Sequence, residues 1–146
     1  MYRHILIPTG GSELAERGVA QGLALAKSLG AKVSVIFVVE PFEGLVRFSK
    51  SGQAAEAIAR YAEWRKEQAT SVLARAADAA KQAGVSCKTI QVQGVPYQAI
   101  IATATDRGCD LIVMSSHGRS GLSMLLIGSV TNKVLTNAKT PVLVCQ

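Results

Sequence analysis

Short apolar runs alternate with longer helix-like segments along the whole chain, and no other sequence feature restricts the fold as much. Five runs rich in β-branched and aliphatic residues are predicted to be strands, at residues 2–8, 31–39, 85–92, 110–114 and 140–145. The segments between them have helical spacing. The first predicted helix begins after Ser12, a candidate N-cap, and ends at Gly30; the others lie at residues 53–83, at 97–107 and within 125–138.

This alternation predicts a parallel sheet with helices on both faces. Because crossovers between parallel strands are right-handed, we expect an α/β fold with a doubly wound five-stranded parallel sheet in the order 3-2-1-4-5, forming one domain over residues 1–146. Ligands of such sheets bind beyond the carboxyl ends of the strands, at the point where the winding reverses. Here that point lies between the first and fourth strands, whose ends carry residues 8–12 (PTGGS) and 114–118 (MSSHG).

The loop after the fourth strand, SSHGRSGLSMLLIGS at residues 115–129, is rich in small residues and leads into a helix. Backbone N–H groups at a helix N-terminus point outward and the helix dipole favours an anion there, so this arrangement suits a phosphate group. Gly128 and Ser129 mark the predicted helix start, and the hydroxyls of Ser129 and Thr131 are further donors. The sequence contains neither GxxxxGK[ST] nor GxGxxG, so the common phosphate-binding motifs do not describe this loop.

Composition narrows the function classes. The chain has 146 residues, 49% of them hydrophobic, and its net charge of +6 is spread over both halves. Without a basic block, nucleic-acid binding is disfavoured, whereas a mild attraction for anions such as phosphate fits the charge. No apolar run approaches the roughly 18 residues of a membrane span, and the apolar N-terminal stretch is too short for a signal peptide. We therefore expect a cytoplasmic protein that binds neither membranes nor nucleic acid.

The three cysteines are Cys87, Cys109 and Cys145, an odd number without CxxC spacing. This pattern argues against a disulfide framework and against a zinc site, because both use grouped cysteines. We expect buried free thiols, the usual environment of a cysteine outside such sites.

Three stretches together resemble a universal stress protein, a single UspA-type domain, over essentially the whole chain. They are ILIPTGGSELA at residues 5–15, DLIVMSSHGRSGLSMLLIGSVTNKVL at 110–135 and TPVLVC at 140–145. The resemblance implies an adenine-nucleotide alpha-hydrolase-like fold and a site for ATP or another adenine nucleotide, with or without Mg²⁺. Members that bind ATP have G-x2-G-x9-G-[ST] in this loop, and the present chain matches it at Gly118, Gly128 and Ser129 but has Ser115 in place of the first glycine.

The resemblance also implies roles for individual residues. Phosphates would be held by the loop and the helix start, at Gly118, Gly128, Ser129, Val130 and Thr131. Ribose and adenine would be lined by residues at the strand ends, at Pro8, Thr9, Val38, Met114 and Ser115. Arg119 is the best cationic candidate for a phosphate partner, although a solvated arginine fits the sequence as well.

Position 10 departs from the nucleotide-binding members, which usually have a carboxylate just after the first strand. The present chain has Gly10 there. A hydrogen bond to a charged group is worth roughly 1.5–3 kcal/mol, so losing it predicts binding weaker by about 10- to 150-fold. The glycine also leaves no carboxylate assigned to the pocket, which counts against efficient ATP hydrolysis because Mg²⁺ is held by acids and phosphates.

Three functions remain open at this point. The first is an adenine-nucleotide-binding stress-response or regulatory protein, the second an interaction protein with a vestigial pocket and an unknown protein partner, and the third a slow ATPase. The family commonly dimerises through its last strand, which implies a homodimer through Pro141, Val142, Leu143 and Val144. An apolar strand at a sheet edge favours such pairing.

Several residues have weaker sequence signals. Residues 41–52 have no clear period, and the sequence leaves open whether they are a lid, a partner contact or a surface loop. A lone loop histidine without a nearby acid, His117, is expected to be exposed rather than to contact phosphate. Asp110 is expected to be a turn residue away from the ligand, and Tyr61 and Trp64 are expected to pack in the core or at an interface.

Overall fold

The structure, a computed structural model, describes residues 1–41, 52–117 and 127–146. The strands are β1 (His4–Pro8), β2 (Lys32–Val39), β3 (Cys87–Gln93), β4 (Leu111–Ser115) and β5 (Val142–Cys145). The helices of the described residues are α1 (Glu13–Leu29), α2 (Gly52–Ala83), α3 (Pro96–Asp106) and α4 (Ser129–Asn137). The strands form a parallel sheet in the order β3-β2-β1-β4-β5, so the predicted topology is confirmed.

Local sequence signals account for the bounds of α1. The Ser12 hydroxyl accepts a hydrogen bond from the Ala15 N–H at 3.1 Å, which satisfies one of the free donors at the helix start. At the other end Gly30 adopts a left-handed φ of 65°, and its N–H donates to the carbonyls of Ala26 and Lys27. Glycine reaches this conformation without a Cβ clash, so the helix stops where the sequence predicted.

The two faces of the sheet have separate cores because side chains alternate along each strand. Ile5 and Ile7 of β1 lie in the core on the side of α1 and α2, together with Leu23 and Leu73. Leu6 lies in the other core, which contains residues of α3 and α4 such as Ile100 and Val134. Helices therefore cover both faces, and the carboxyl ends of β1, β2 and β4 meet at one edge of the sheet.

Helix α1 lies unusually close to the sheet because two of its residues on the buried face are glycines. A Cβ on Gly18 would lie 3.3 Å from the Ser115 backbone nitrogen. A Cβ on Gly22 would collide with the Ile7 side chain. The absence of these two side chains lets α1 pack directly beneath the carboxyl end of β4.

At the amino ends of the strands, the Asp110 side chain joins the start of β1 to the start of β4. Its carboxylate accepts hydrogen bonds from the backbone N–H groups of Arg3, at 2.9 Å, and His4, at 3.0 Å. His4 is buried, and its Nε2 lies 2.8 Å from the Ser34 hydroxyl. Both residues have structural roles remote from the carboxyl ends of the strands.

The buried state of His4 makes folding stability depend on pH. Burial lowers the pKa of His4 below its ordinary value of 6.5, and the charge of Lys32 acts in the same direction. The unfolded chain therefore binds this proton more readily than the folded chain, so stability is full above that value and falls as the pH drops below it.

We expect His4→Gln to flatten this dependence, because glutamine is polar enough to bond Ser34 but does not titrate. Chemical denaturation at about pH 7.5 and about pH 5 measures the effect, which amounts to about 1.4 kcal/mol for each pH unit separating the folded and unfolded pKa values. If the parent and the variant lose the same amount of unfolding free energy between the two pH values, His4 is not the titrating group.

The free thiols only partly follow the sequence prediction. Cys109 and Cys145 are buried as expected, but Cys87 is half-buried. Burial raises the pKa of Cys109 to about 11, so this thiol is a poor nucleophile near neutral pH.

None of the described helices combines the length and apolarity needed to cross a membrane.

Candidate functional site

A cavity of about 310 Å³ lies at the carboxyl ends of β1, β2 and β4, where the winding of the sheet reverses. Its volume is in the range of sites for small organic ligands. Ten of the residues predicted for a nucleotide site line it, namely Pro8, Thr9, Gly10, Val38, Met114, Ser115, Gly128, Ser129, Val130 and Thr131. Gly118 and Arg119, the other two, lie outside the described residues, as do residues 42–51 of the predicted lid.

The N-terminus of α4 opens onto this cavity with donors that the helix itself does not pair. The first helical hydrogen bond runs from the Asn132 N–H to the Gly128 carbonyl, so the N–H groups of Ser129, Val130 and Thr131 have no intrahelical acceptor. Among the described residues, no side chain caps the helix. Three such N–H groups at the positive end of a helix dipole form a candidate anion site.

Gly128 borders the cavity without offering a donor of its own. Its N–H already donates to the Ser116 carbonyl at 2.6 Å. This bond ties the start of α4 to the chain leaving β4. The donors for an anion are therefore the next three residues along the helix.

Two hydroxyls fix the end of β4 against α4. The Thr131 hydroxyl donates to the Ser115 carbonyl at 2.9 Å, and the Ser115 hydroxyl donates to the His117 carbonyl at 2.8 Å. Both hydroxyl protons already bond to protein carbonyls, so these two side chains hold the backbone of the site in place and have no proton left to donate to a ligand. Ser115 is the last residue of β4 and pairs with Cys145, which places it in extended backbone that serine adopts without strain.

The prediction that His117 is exposed is wrong. Its side chain is only 6% exposed and lines the cavity, because the Gly128–Ser116 hydrogen bond folds the chain after β4 under the start of α4. His117 Nδ1 lies 3.0 Å from the Ser116 hydroxyl. Its Nε2 is buried and has no hydrogen-bond partner among the described residues. A buried polar atom without a partner is costly, so this nitrogen is suited to bind a ligand.

Arg65 of α2 is a cavity residue that the sequence analysis missed. Its side chain is 6% exposed, with the guanidinium 5.0 Å from the centroid of the Phe37 ring and 5.9 Å from that of Trp64. Nη1 has no hydrogen-bond partner among the described residues. Burial of a charge costs several kcal/mol, and a desolvated cation–π contact returns only about 2 kcal/mol of this cost. A sequence signal existed, since Arg65 falls four residues before Ala69, on the apolar stripe of its helix.

Glu40 and Tyr61 also line the cavity. Glu40 directly follows β2 and is exposed. The expectation that the pocket contains no carboxylate is therefore wrong. Tyr61 lies on α2 one turn before Arg65, and its ring centroid is 5.9 Å from that of Trp64. The prediction that Trp64 packs in the core is wrong, because this residue is 48% exposed.

Around Gly10 the cavity has spare room. A Cβ placed on Gly10 would meet no atom of the described residues within 4 Å. The neighbouring Gly11 has a φ of 82°, and its N–H donates to the Thr9 hydroxyl at 3.3 Å. The turn after β1 thus needs a glycine at position 11, whereas position 10 has space for a side chain that this chain lacks.

A doubly wound parallel sheet with a cavity and a helix N-terminus at its switch point defines an α/β protein with a candidate site for an anionic small molecule. The sequence model of the universal stress protein family matches residues 1–146. Universal stress protein MJ0531 of Methanocaldococcus jannaschii is 35% identical over 148 residues, covering 100% of this chain and 83% of that protein. The chain belongs to the universal stress protein family.

Solved structures agree with this assignment and with the expected fold class. Hypothetical protein MJ0577 of the same organism has a TM-score of 0.82 at 30% identity, with 99% of this chain and 95% of that one covered. A universal stress protein in complex with cAMP has a TM-score of 0.73 at 24% identity, covering 99% and 97%. The protein from Archaeoglobus fulgidus in complex with dAMP has a TM-score of 0.70 at 19% identity, covering 99% and 98%.

Proposed function

We propose that this protein binds an adenine nucleotide in the cavity, with a phosphate group on the N-terminus of α4. The observation that carries the proposal is the set of three N–H groups at the cavity wall, of Ser129, Val130 and Thr131, that have no intrahelical acceptor. These donors need no particular side chain, so the departures at Gly10 and Ser115 leave them intact. His117 Nε2, which is buried and has no hydrogen-bond partner in the described part of the chain, is a fourth donor or acceptor on the same wall.

The base fits the apolar part of the cavity, on the side of α3. Ile36, Val38, Pro96, Ile100 and Met114 line this part. Flat apolar walls with a few polar groups at one end are typical of nucleotide pockets. Proteins of this fold have been solved with cAMP and with dAMP, which supports an adenine ligand here.

A binding module fits this site better than a catalyst. Among the described lining residues Glu40 is the only carboxylate, and it is exposed. A Mg²⁺ ion would therefore be held mainly by phosphates of the nucleotide, with little help from the protein. We infer a regulatory protein of the stress response whose state depends on the bound nucleotide.

Isothermal titration calorimetry with ATP, ADP, AMP and cAMP tests this function. We expect binding of at least one of them, weakened because Gly10 gives the ribose no carboxylate. If the parent protein binds none of these nucleotides at millimolar concentration, the result favours the second candidate function, an interaction protein with a vestigial pocket. Phosphate release from ATP that disappears in Ser129→Ala would favour a slow ATPase instead.

We also propose a homodimer formed through the free edge of β5, at Pro141, Val142, Leu143 and Val144. The carbonyl of Pro141 accepts a hydrogen bond from the Ile112 N–H of β4 at 2.9 Å, and that of Cys145 accepts one from the Ser116 N–H, directly after β4, at 2.8 Å. Since successive residues of a strand direct their backbone groups to opposite sides, those of Val142 and Val144 point to the free edge. The Leu143 side chain is 44% exposed. Such an edge can pair antiparallel with a second copy across a two-fold axis.

The double variant Val142→Pro with Val144→Pro is expected to be monomeric. Proline removes the two outward N–H groups but none of the bonds to β4, and proline is tolerated at a free edge. Analytical ultracentrifugation distinguishes the dimer from the 15.3 kDa monomer. The matched control, Val142→Thr with Val144→Thr, retains both N–H groups and should stay dimeric. A dimer that survives both prolines would place the interface elsewhere.

A further inference from the structure

The cavity near the carboxyl end of β1 contains a buried cation, and the residue after Thr9 offers no side chain to it. Gly10 and Arg65, the latter 6% exposed, both line this cavity. Arg65 Nη1 has no hydrogen-bond partner among the described residues. The only ion pairs within those residues are Arg17–Glu13 and Arg75–Glu16, so Glu40 does not neutralise Arg65.

Arg65 and the N-terminus of α4 serve different parts of a ligand. Arg65 stacks on Phe37 of β2, whereas α4 follows β4, and β1 lies between these two strands. Phe37 belongs to the core on the side of α1 and α2, whereas α4 covers the other face of the sheet, so the two groups enter the cavity from different sides. A ligand with one phosphate group is therefore expected to use one of them, and a ligand with a second phosphate on its ribose can use both.

The stacking of Arg65 leaves its hydrogen-bonding edge free. A guanidinium whose face lies on an aromatic ring can still donate in its own plane, and its forked donors match a phosphate in a bidentate arrangement. In dinucleotide sites, an acid after a strand binds the ribose hydroxyl, and an arginine nearby accommodates a phosphate on that hydroxyl. A glycine at position 10 together with a buried arginine in the same cavity resembles the second of these arrangements.

We propose that the cavity takes an adenine nucleotide with a second phosphate on its ribose, and that Arg65 binds this phosphate. The proposal rests on the proposed function and adds its substrate class. Adenine lies between Val38 and Ile100, the 5′-phosphate lies on α4, and the ribose phosphate reaches Arg65 Nη1 across the space above Gly10.

Calorimetry with 5′-AMP, adenosine 2′,5′-bisphosphate and adenosine 3′,5′-bisphosphate tests the proposal. At least one bisphosphate is expected to bind at least about tenfold more tightly than 5′-AMP, since it gains charge-assisted hydrogen bonds. Arg65→Met keeps most of the volume against Phe37 and should abolish this preference, which is measured as the ratio of the bisphosphate affinity to the 5′-AMP affinity of the same protein. The matched control is Lys66→Met, which removes an exposed cation from the same helix and should retain the preference.

Gly10→Asp supplies a second variant in case Arg65→Met fails to fold. The added side chain has open space, and its carboxylate would neutralise Arg65 and bind ribose hydroxyls. It should tighten 5′-AMP and weaken the bisphosphate, which reverses the preference. If 5′-AMP binds and neither bisphosphate binds more tightly, the inference is overturned while the proposed function stands. If none of the three ligands binds, the proposed function itself is lost.

Discussion

Ser129→Pro is expected to weaken ATP binding by about 10- to 150-fold while leaving the fold intact. Ser129 is the first residue of α4, and its N–H has no intrahelical acceptor. Proline is favoured at this helical position because the donor that it removes is unpaired there. Gly128 before it has φ −60° and ψ 156°, a conformation that also suits a residue preceding proline. The variant therefore deletes one phosphate donor, worth roughly 1.5–3 kcal/mol against a charged group.

The control for this variant is Ser129→Ala, which removes the hydroxyl and retains the N–H. We expect it to bind ATP within a few-fold of the parent, and we expect thermal unfolding to give similar midpoints for all three proteins. Calorimetry under one salt condition measures the affinities. If the proline variant binds as tightly as the parent, the phosphate does not lie on the N-terminus of α4.

Gly18→Val is expected to lower the free energy of unfolding by about 1–3 kcal/mol. Gly18 faces the last residue of β4, with the position of a Cβ only 3.3 Å from the Ser115 nitrogen and 3.5 Å from the Ser115 Cβ. Ser115 pairs with Cys145 in the interior of the fold, so its backbone cannot retreat without breaking the sheet. Valine would push α1 away from β4, a large effect for a domain whose total stability is about 5–15 kcal/mol.

Urea denaturation measures this change, and Gln21→Val is its matched control. Gln21 lies on the exposed face of the same helix, where the same substitution should change stability by less than about 0.5 kcal/mol. Because Ser115 lines the cavity, Gly18→Val should also weaken nucleotide binding. Equal stability of the two variants would mean that α1 does not depend on its close approach to β4.

The element order, the strand order and the location of the cavity could be predicted from the sequence. Apolar periodicity and capping residues such as Ser12 and Gly30 act over a few positions, so they can be read in order along the chain. The handedness of crossovers then leaves few topologies, and the reversal between β1 and β4 follows from them. Both loops that line the cavity directly follow these two strands.

Several groups that give the cavity its charge could not be predicted in this way. Arg65 and Tyr61 come from a helix that does not adjoin either loop in sequence, and Glu40 comes from the end of β2. The burial of His117 could not be predicted, because it depends on a hydrogen bond between Gly128 and Ser116, which are twelve positions apart in the sequence. Pattern and spacing report which residues belong to an element, but they do not report which side chains of different elements meet.

The sequence by itself determined that the chain folds as a doubly wound parallel sheet with a phosphate-suited helix start at its switch point, because these features follow from local periodicity, capping and crossover handedness. Only the tertiary structure decided that the Gly128 N–H is already used, that the N–H groups of Ser129, Val130 and Thr131 lack intrahelical acceptors, and that Arg65 and His117 are buried with nitrogens that have no partner in the part of the chain that the structure describes. The physical reason is that burial and hydrogen-bond pairing are properties of groups brought together from distant parts of the chain.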